Sequence, residues 1–158
     1  MTKGIASGVV SNMVTLRVDG PVLQGEICYI TTGGDRLMAE VIKVVGSDVY
    51  VQVFESTRGL KVGSQAEFTG HQLEIQLGPG MLSKNYDGLQ NDLDKMDGVF
   101  LRRGQYTAPL DEDRLWDFEP IVKAGDRVQG SDWLGKVEEN HQPLKIMAPF
   151  QMEGTAVV

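Results

Sequence analysis

Glycines recur throughout this sequence between short apolar runs that are rich in valine and isoleucine. The 19 glycines suit tight turns, and the β-branched residues suit strands. The clearest example is the segment Leu37–Phe54, where valines at every second position follow a Gly46-Ser47 turn. Glycine at the first central position predicts a type II′ hairpin. We therefore expect a mainly β protein in which helix is the minor state.

The first 77 residues carry the strongest strand signals. Apolar and polar residues alternate over Met13–Val18, and Leu73, Ile75 and Leu77 alternate with Glu74 and Gln76. We count roughly five to seven short strands here, which favours a small closed N-terminal barrel because closure removes exposed strand edges.

The pattern changes after Pro79. Apolar residues then approach helical spacing, with an interruption at Gly88. They are Met81, Leu82, Tyr86, Leu89 and Leu93. We predict a partly helical connector over residues 78–98 and a new strand at Val99–Arg102.

A charged, turn-rich stretch at Arg102–Pro120 leads into a second β unit, predicted for residues 99–158. Short strands return from Ile121 onward, with turns at Lys123–Asp126 and Gly130–Asp132. The sequence LKVGSQA at 60–66 echoes VKAGDRV at 122–128, and we attribute the echo to shared turn chemistry rather than duplication.

Composition excludes several classes of function. The 15 basic and 22 acidic residues give a net charge of -7, which argues against nucleic acid as a partner. No apolar run approaches the ~20 residues that span a bilayer, and polar residues and glycines break the N-terminus, so we expect a cytoplasmic protein. The single cysteine, Cys28, excludes an internal disulfide and a cysteine-cluster metal site, and its flanks predict a buried strand position.

Two glycine-rich stretches partly resemble a phosphate loop, which requires G-x-x-x-x-G-K-[ST]. Residues 77–93, LGPGMLSKNYDGLQNDL, contain no Gly-Lys pair. Residues 130–137, GSDWLGKV, match as far as the lysine but place Val137 where the magnesium-binding hydroxyl belongs. Their flanks predict a strand rather than the helix N-terminus that binds an anion. Neither stretch is predicted to bind phosphate.

Other catalytic and metal-binding arrangements are equally thin. The two histidines, His71 and His141, fall in different predicted units, and no nucleophile elbow accompanies them. Five acidic residues between positions 111 and 119 lack calcium-loop spacing, so we interpret them as a solvated charged loop. They are Asp111, Glu112, Asp113, Asp117 and Glu119. We predict no catalytic, cofactor-binding or metal-binding residues.

The second unit resembles the half-barrel repeats of biotinyl and lipoyl domains, through VKAGDRVQGSDWLGKV at 122–137 and the following IMAPF. Those families present a modified lysine at a hairpin tip. Here the corresponding position is His141, and Lys145 falls along the returning strand. A carrier role is therefore not expected, but a barrel-sandwich shape is.

A more specific resemblance covers nearly the whole chain. The run LEIQLGPGMLSKNYDGLQNDL is similar to the LGPGLL…YDG-(I/L)-Q-x-x-L motif of the catalytic A subunit of V-type and archaeal-type rotary ATPases. The matching positions are Gly78, Pro79, Gly80, Leu82, Tyr86, Asp87, Gly88, Gln90 and Leu93. The barrel motif at 54–63, Trp116-x-Phe118-x-Pro120, and the closing segments Lys145–Pro149 and Glu153-Gly154 also resemble that subunit.

This resemblance implies a specific organisation and partners. Residues 1–77 would form the crown barrel, 78–98 a connector toward a nucleotide-binding domain, and 99–158 the bulge domain. The barrel would join a hexamer in which A and B subunits alternate, three of each, and the bulge would reach the peripheral stalk. The membrane would be involved only indirectly, through the ion-translocating sector, and the subunit would be cytoplasmic and peripheral to it.

The resemblance also implies what these 158 residues do not do. The family's P-loop, catalytic glutamate and helical domain have no counterpart here, so ATP and Mg²⁺ would belong to the parent subunit and this region would be non-catalytic. We expect an N-terminal fragment of a longer subunit that couples ATP hydrolysis or synthesis to H⁺ or Na⁺ transport. The chain departs from the family pattern at Val10–Asn12, Gly20–Val22 and Gln151-Met152.

Two other functions remain open at this stage. A stand-alone two-barrel adaptor or carrier-like module, without a modified lysine, would use the second unit as a docking surface. A hydrolase acting alone would need a histidine or carboxylate pair that the sequence does not assemble.

Overall fold

The computed structural model describes residues 1–96 and 103–158, and their contacts divide the chain into two compact units. The first unit contains residues 1–75 and 103–106, and the second contains 76–96 and 107–158. In these described residues, no helix has the length and apolar character that a membrane crossing requires.

Six antiparallel strands form a closed barrel in the first unit. They are β1 (Lys3–Val10), β2 (Met13–Val18), β3 (Glu26–Thr32), β4 (Asp35–Val45), β5 (Asp48–Val53) and β6 (Gln65–Gln72). Their order around the barrel is β1-β2-β5-β4-β3-β6, and β6 closes the ring by pairing with β1 from Lys3↔Glu67 to Ile5↔Gln65. The structure confirms the predicted mainly β fold and the closed N-terminal barrel.

Alternation along the strands places every second side chain inside the barrel. In β5 the buried residues are Val49, Val51 and Val53, and in β2 Val14 and Leu16 are fully buried. Phe68 is the largest side chain in this core. Each such aliphatic or aromatic side chain contributes about 1.5–3 kcal/mol when it leaves water, so the barrel interior stabilises the first unit.

The hairpin between β4 and β5 turns where the sequence predicts. Val45 pairs with Asp48, which leaves Gly46 and Ser47 as a two-residue turn, and Gly46 has a φ of 60°. Glycine adopts this left-handed value without the steric cost that a Cβ would bring. Cys28, also as predicted, lies buried in a strand.

The predicted strand at Leu73–Leu77 is wrong. β6 ends at Gln72, and the side chains of Leu73, Ile75 and Leu77 are 44%, 62% and 68% exposed. Alternation predicts a strand only where a neighbouring strand pairs with it, and no neighbouring strand among the described residues pairs with this segment.

The second unit is built from short strands in two small sheets. They are β7 (Phe118–Pro120), β8 (Arg127–Gln129), β9 (Trp133–Glu139), β10 (Gln142–Met147) and β11 (Thr155–Val157). One sheet has the order β10-β9-β7, and the other pairs β11 with β8. The predicted turn at Lys123–Asp126 precedes β8, and that at Gly130–Asp132 joins β8 to β9.

The echo between 60–66 and 122–128 is a shared turn. The N–H of Ser64 donates to the Lys61 carbonyl and that of Asp126 to the Lys123 carbonyl, and the glycine before each donor has a φ of 93° or 95°. The sequence similarity thus follows from a positive-φ glycine at the same place in two turns.

The segment predicted as partly helical contains no α-helix in the residues described. Its regular structure is a short 3₁₀ turn at Leu93–Lys95, together with a single bridge between Tyr86 and Asp92. Ser83 and Gln90 have φ values of 64° and 61°, which a right-handed helix does not allow. The strand predicted at Val99–Arg102 lies outside the described residues, and the domain boundaries at 77/78 and 98/99 stay predictions.

Candidate functional site: the polar loop at residues 82–95

Asp87 organises the backbone of the loop that carries the Tyr86-Asp87-Gly88 sequence. Its Oδ1 accepts the N–H groups of Leu89 at 2.9 Å and Asn91 at 2.8 Å, and its Oδ2 accepts the Asn91 side-chain amide at 2.8 Å. Burial by itself raises the pKa of Asp87, but these hydrogen bonds outweigh it and lower the pKa overall. The carboxylate of Asp87 thus accepts backbone N–H groups that would otherwise bond to carbonyl groups of a strand or helix.

Asp92 lies at the centre of the same loop, and its side chain is fully buried. Lys84 Nζ donates to Asp92 Oδ2 at 2.6 Å, and Lys95 Nζ lies 3.8 Å from the same oxygen. The hydrogen bond from Lys84 lowers the pKa of Asp92 and raises that of Lys84. A buried carboxylate is stable here because a cation and a backbone N–H, that of Asp94 at 3.2 Å, both bind it.

Three further side chains attach the loop to neighbouring segments of the second unit. The Gln90 carboxamide forms two 2.7 Å hydrogen bonds with the backbone of Gln76. Asn91 Oδ1 accepts the Thr107 N–H at 3.0 Å, and the Tyr86 hydroxyl donates to the Pro109 carbonyl at 2.8 Å. The loop is therefore a positioning element that fixes the chain before and after it.

The β9–β10 hairpin contacts the beginning of this loop. Glu139, which is 4% exposed, accepts the Leu82 N–H at 2.9 Å, and Asn140 donates to the Ser83 hydroxyl at 3.0 Å. Glu139 Oε2 is buried and has no hydrogen-bond partner among residues 1–96 and 103–158. His141 follows at the hairpin tip, where its side chain is 98% exposed and its Nδ1 lies 3.3 Å from Glu138.

The near-match to a phosphate loop at 130–137 serves packing. A Cβ on Gly130 would lie 3.1–3.2 Å from three carbonyl oxygens, and one on Gly135 would lie 2.3 Å from the Phe118 ring. Lys136 pairs with Glu119 at 2.8 Å from within strand β9, so the stretch provides no helix N-terminus for an anion. Both glycines are explained by close approach of other groups.

The remaining candidate residues do not come together as a reactive site. His71 belongs to the first unit and lies 3.8 Å from Glu74, whereas His141 belongs to the second. The five acidic residues between 111 and 119 are all exposed. Within the described part of the chain, no three His, Cys, Asp or Glu side chains are placed to hold a metal ion. Burial, with a smaller effect of Glu26, raises the pKa of the Cys28 thiol to about 12, so this cysteine is an unreactive core residue.

In the first unit, the motif at 54–63 binds the segment that returns to the barrel at 103–106. Glu55 Oε2 accepts the Gly104 N–H at 3.1 Å, and the Tyr106 hydroxyl accepts the Met38 N–H at 2.9 Å. Burial and a hydrogen bond with Glu55 raise the pKa of Tyr106. Leu60 fills the core, so this motif combines an anchor in the barrel with a contact to a distant part of the chain.

The family resemblance identified the positions of the loop in the sequence. It did not predict the hydrogen bonds that Lys84, Asp92 and Glu139 form there. A charged residue predicted to be buried is the signal that could have identified them, because buried charges require partners. That burial depends on contacts between residues far apart in the sequence, which periodicity does not report.

The two units correspond to two known domain types. A family model described as the beta-barrel domain of the ATP synthase alpha/beta family matches residues 6–70, and one described as the ATP synthase alpha/beta subunit barrel-sandwich domain matches residues 107–158. The chain belongs to the ATP synthase alpha/beta family. The domain descriptions agree with the closed barrel and with the predicted barrel-sandwich character of the second unit.

Members of this family that resemble the chain include V-type ATP synthase alpha chains. That of Borreliella afzelii (strain PKo) is 47% identical over 152 residues, that of Borrelia duttonii (strain Ly) 47% over 151, and that of Borreliella burgdorferi (strain ZS7) 45% over 152. Each alignment covers 94% of this chain and 26% of the relative. The chain thus spans about a quarter of these relatives and is homologous to their N-terminal region, which confirms the predicted family and favours it over the adaptor.

Proposed function

We propose that this chain is an assembly region of the catalytic subunit of a V/A-type rotary ATPase. In this proposal the barrel joins a hexamer of alternating A and B subunits, and the second unit contacts the peripheral stalk. The observation that carries the proposal is the similarity over 94% of the chain to V-type ATP synthase alpha chains, with both family domains in order.

The proposal assigns nucleotide chemistry to parts of the enzyme outside these 158 residues. The near-match to a phosphate loop at 130–137 runs from a turn into strand β9, and its two glycines allow the close approach of three carbonyl groups and a phenylalanine ring. ATP and Mg²⁺ would bind elsewhere in the complete subunit, which would act in the cytoplasm, peripheral to the membrane. Its connection to the membrane would run through the ion-translocating sector.

Reconstitution with purified partners tests the assembly role. The chain is mixed with the B subunit and, separately, with the peripheral stalk subunits of the same organism, and the masses of the products are measured by native mass spectrometry. We expect a complex in at least one mixture. A chain that stays unbound in both mixtures at micromolar concentration would contradict the assembly role.

Calorimetric titration with Mg-ATP tests the non-catalytic assignment. We expect no saturable heat up to millimolar nucleotide, because no helix N-terminus with a Gly-Lys-Ser/Thr sequence is present in these residues. Saturable binding would show that the chain has a nucleotide site of its own.

A further inference from the structure

Two consecutive residues of the β9–β10 hairpin hold two consecutive residues of the polar loop. Glu139 accepts the N–H of Leu82, and Asn140 donates to the hydroxyl of Ser83. Both contacts lie within the second unit, between chain segments that are 57 residues apart in the sequence. The hairpin tip and the start of the loop are therefore joined side by side.

The contact through Glu139 costs more free energy than a contact with a purely structural role requires. One carboxylate oxygen is used and the other is buried without a hydrogen-bond partner among the described residues. An apolar side chain of the same length would leave no acceptor unpaired, but it would also remove the acceptor of the Leu82 N–H. The carboxylate is thus suited to holding the Leu82 amide in a defined place rather than to maximising stability.

The backbone at both ends of this contact is held in an uncommon conformation. Ser83, Asn140 and His141 have φ values of 64°, 49° and 61°, in the left-handed region that residues other than glycine seldom occupy. Such conformations persist where surrounding contacts fix them. Because these two turns contact each other, a change in one removes a support of the other.

From Lys84 onward, the loop is fixed by its own polar side chains. Lys84 binds the buried Asp92, and Tyr86 binds the Pro109 carbonyl. Asp87 holds the next turn. Hydrogen bonds and the short backbone segments between them thus connect Asp87 with the exposed hairpin tip.

We propose that Glu139 is a positioning residue that couples the conformation of the polar loop to the orientation of the β9–β10 hairpin tip. A rearrangement of residues 84–92 moves Leu82 and Ser83, and Glu139 and Asn140 carry that movement to His141. The biological consequence rests on the proposed function: in the complete enzyme, the loop leads toward the remainder of the subunit and the tip is free to contact a partner.

The test is an NMR comparison of four forms of the 158-residue protein: the parent, Asp87→Ala, Glu139→Met and the double variant. Asp87→Ala releases three hydrogen bonds in the loop and touches no hairpin residue. Glu139→Met keeps the side-chain length and removes the acceptor of the Leu82 amide. The readout is the backbone amide chemical shift of Asn140, His141 and Gln142, together with hydrogen exchange at Leu82.

With Glu139 present, we expect Asp87→Ala to change the backbone amide chemical shifts of the hairpin tip. In the Glu139→Met background, the same substitution should change these shifts at least threefold less. Exchange at Leu82 should accelerate about tenfold or more in Glu139→Met, because its acceptor is gone. A tip that does not respond to Asp87→Ala, or that responds equally with and without Glu139, would overturn the coupling.

Controls separate coupling from general loosening. Glu138→Gln alters the exposed neighbour, and Glu139→Gln retains an oxygen for Leu82; both should preserve the response. Should Glu139→Met not fold, Glu139→Ala removes the same acceptor of the Leu82 N–H with a shorter side chain, and a tip response as large as the parent's would then overturn the proposal. All measurements use the chain alone, so a negative result leaves the assembly role untouched.

Discussion

Polar side chains, together with a few backbone hydrogen bonds, hold residues 84–92 in place. Asp87 accepts three hydrogen bonds, two of them from Asn91, and the Asn91 side-chain oxygen accepts a further one from the Thr107 N–H. The family resemblance marks Tyr86-Asp87-Gly88 without giving a reason for an aspartate there. The structure gives one: a carboxylate accepts several amides at once and stays ionised while doing so.

Replacing Asp87 with alanine should destabilise the second unit by about 2 kcal/mol, because hydrogen bonds to a charged group are worth roughly that much and several amides lose their acceptor. Urea unfolding of variant and parent at neutral pH measures the difference. Asp117→Ala removes an exposed aspartate from the same unit and should change the free energy of unfolding by less than about 0.5 kcal/mol. Equal effects of the two substitutions would contradict the role of Asp87.

Acid should weaken the loop through Asp92. Lys84 lowers the pKa of this carboxyl in the folded state, so its stabilising effect is complete above the unfolded pKa of about 4 and is lost as the pH falls through the lower folded pKa. We expect Asp92→Asn to be less stable than the parent at pH 7 and to lose less stability on acidification. Urea unfolding between about pH 7 and pH 2 measures both slopes. A parallel pH dependence of the two proteins would contradict this, and Asp94→Asn, an exposed neighbour, serves as the control.

The strands show how far the sequence determines this fold. Alternation predicts β2 and the β4–β5 hairpin because their side chains divide between a core and solvent. The same alternation fails at Leu73–Leu77, since pairing depends on a neighbouring strand that local sequence does not specify. Helical spacing fails at 81–93 for a related reason: Asp87, Gln90 and Asp92 satisfy the backbone in a non-helical form.

Gly135 shows what tight packing demands within a strand. A Cβ added to Gly135 would lie 2.3 Å from the Phe118 ring and 2.5 Å from the Glu119 carbonyl oxygen, across the β7–β9 pairing. We expect Gly135→Ala to destabilise the second unit by about 1–3 kcal/mol, because β7 must move. Gly88→Ala is the matched control, since its Cβ would meet no atom within 4 Å. Thermal unfolding compares the two, and a Gly135→Ala protein as stable as the control would contradict the predicted clash.

The charge of the molecule is distributed unequally between its units. Counted from the sequence, the second unit carries seven basic and thirteen acidic residues, or -6, and the first carries seven and eight, or -1. Nearly all of the net charge of -7 therefore belongs to the unit proposed to contact the stalk. Charge on this scale influences how fast a partner of opposite charge associates, and salt screens it.

The proposed stalk contact should therefore depend on salt more strongly than the proposed barrel contact with the B subunit. For a stalk surface of opposite charge, raising the salt from about 50 to 200 mM should slow association with the chain by up to about tenfold, because the Debye length shortens and steering weakens. Association with the B subunit should change little, since the barrel is nearly neutral. Stopped-flow fluorescence at several salt concentrations measures both rates.

Variants with neutralised carboxylates test which part of the chain produces the electrostatic steering of association. The variant Asp111→Asn, Glu112→Gln and Asp113→Asn removes three exposed charges from the second unit and should flatten the salt dependence of stalk association. The control, Glu67→Gln with Glu74→Gln and Asp19→Asn, removes as many exposed charges from the barrel unit and should leave the salt dependence of stalk association unchanged. Since both variants have the same net charge, equal flattening would mean that total charge, rather than its location in the second unit, governs the encounter.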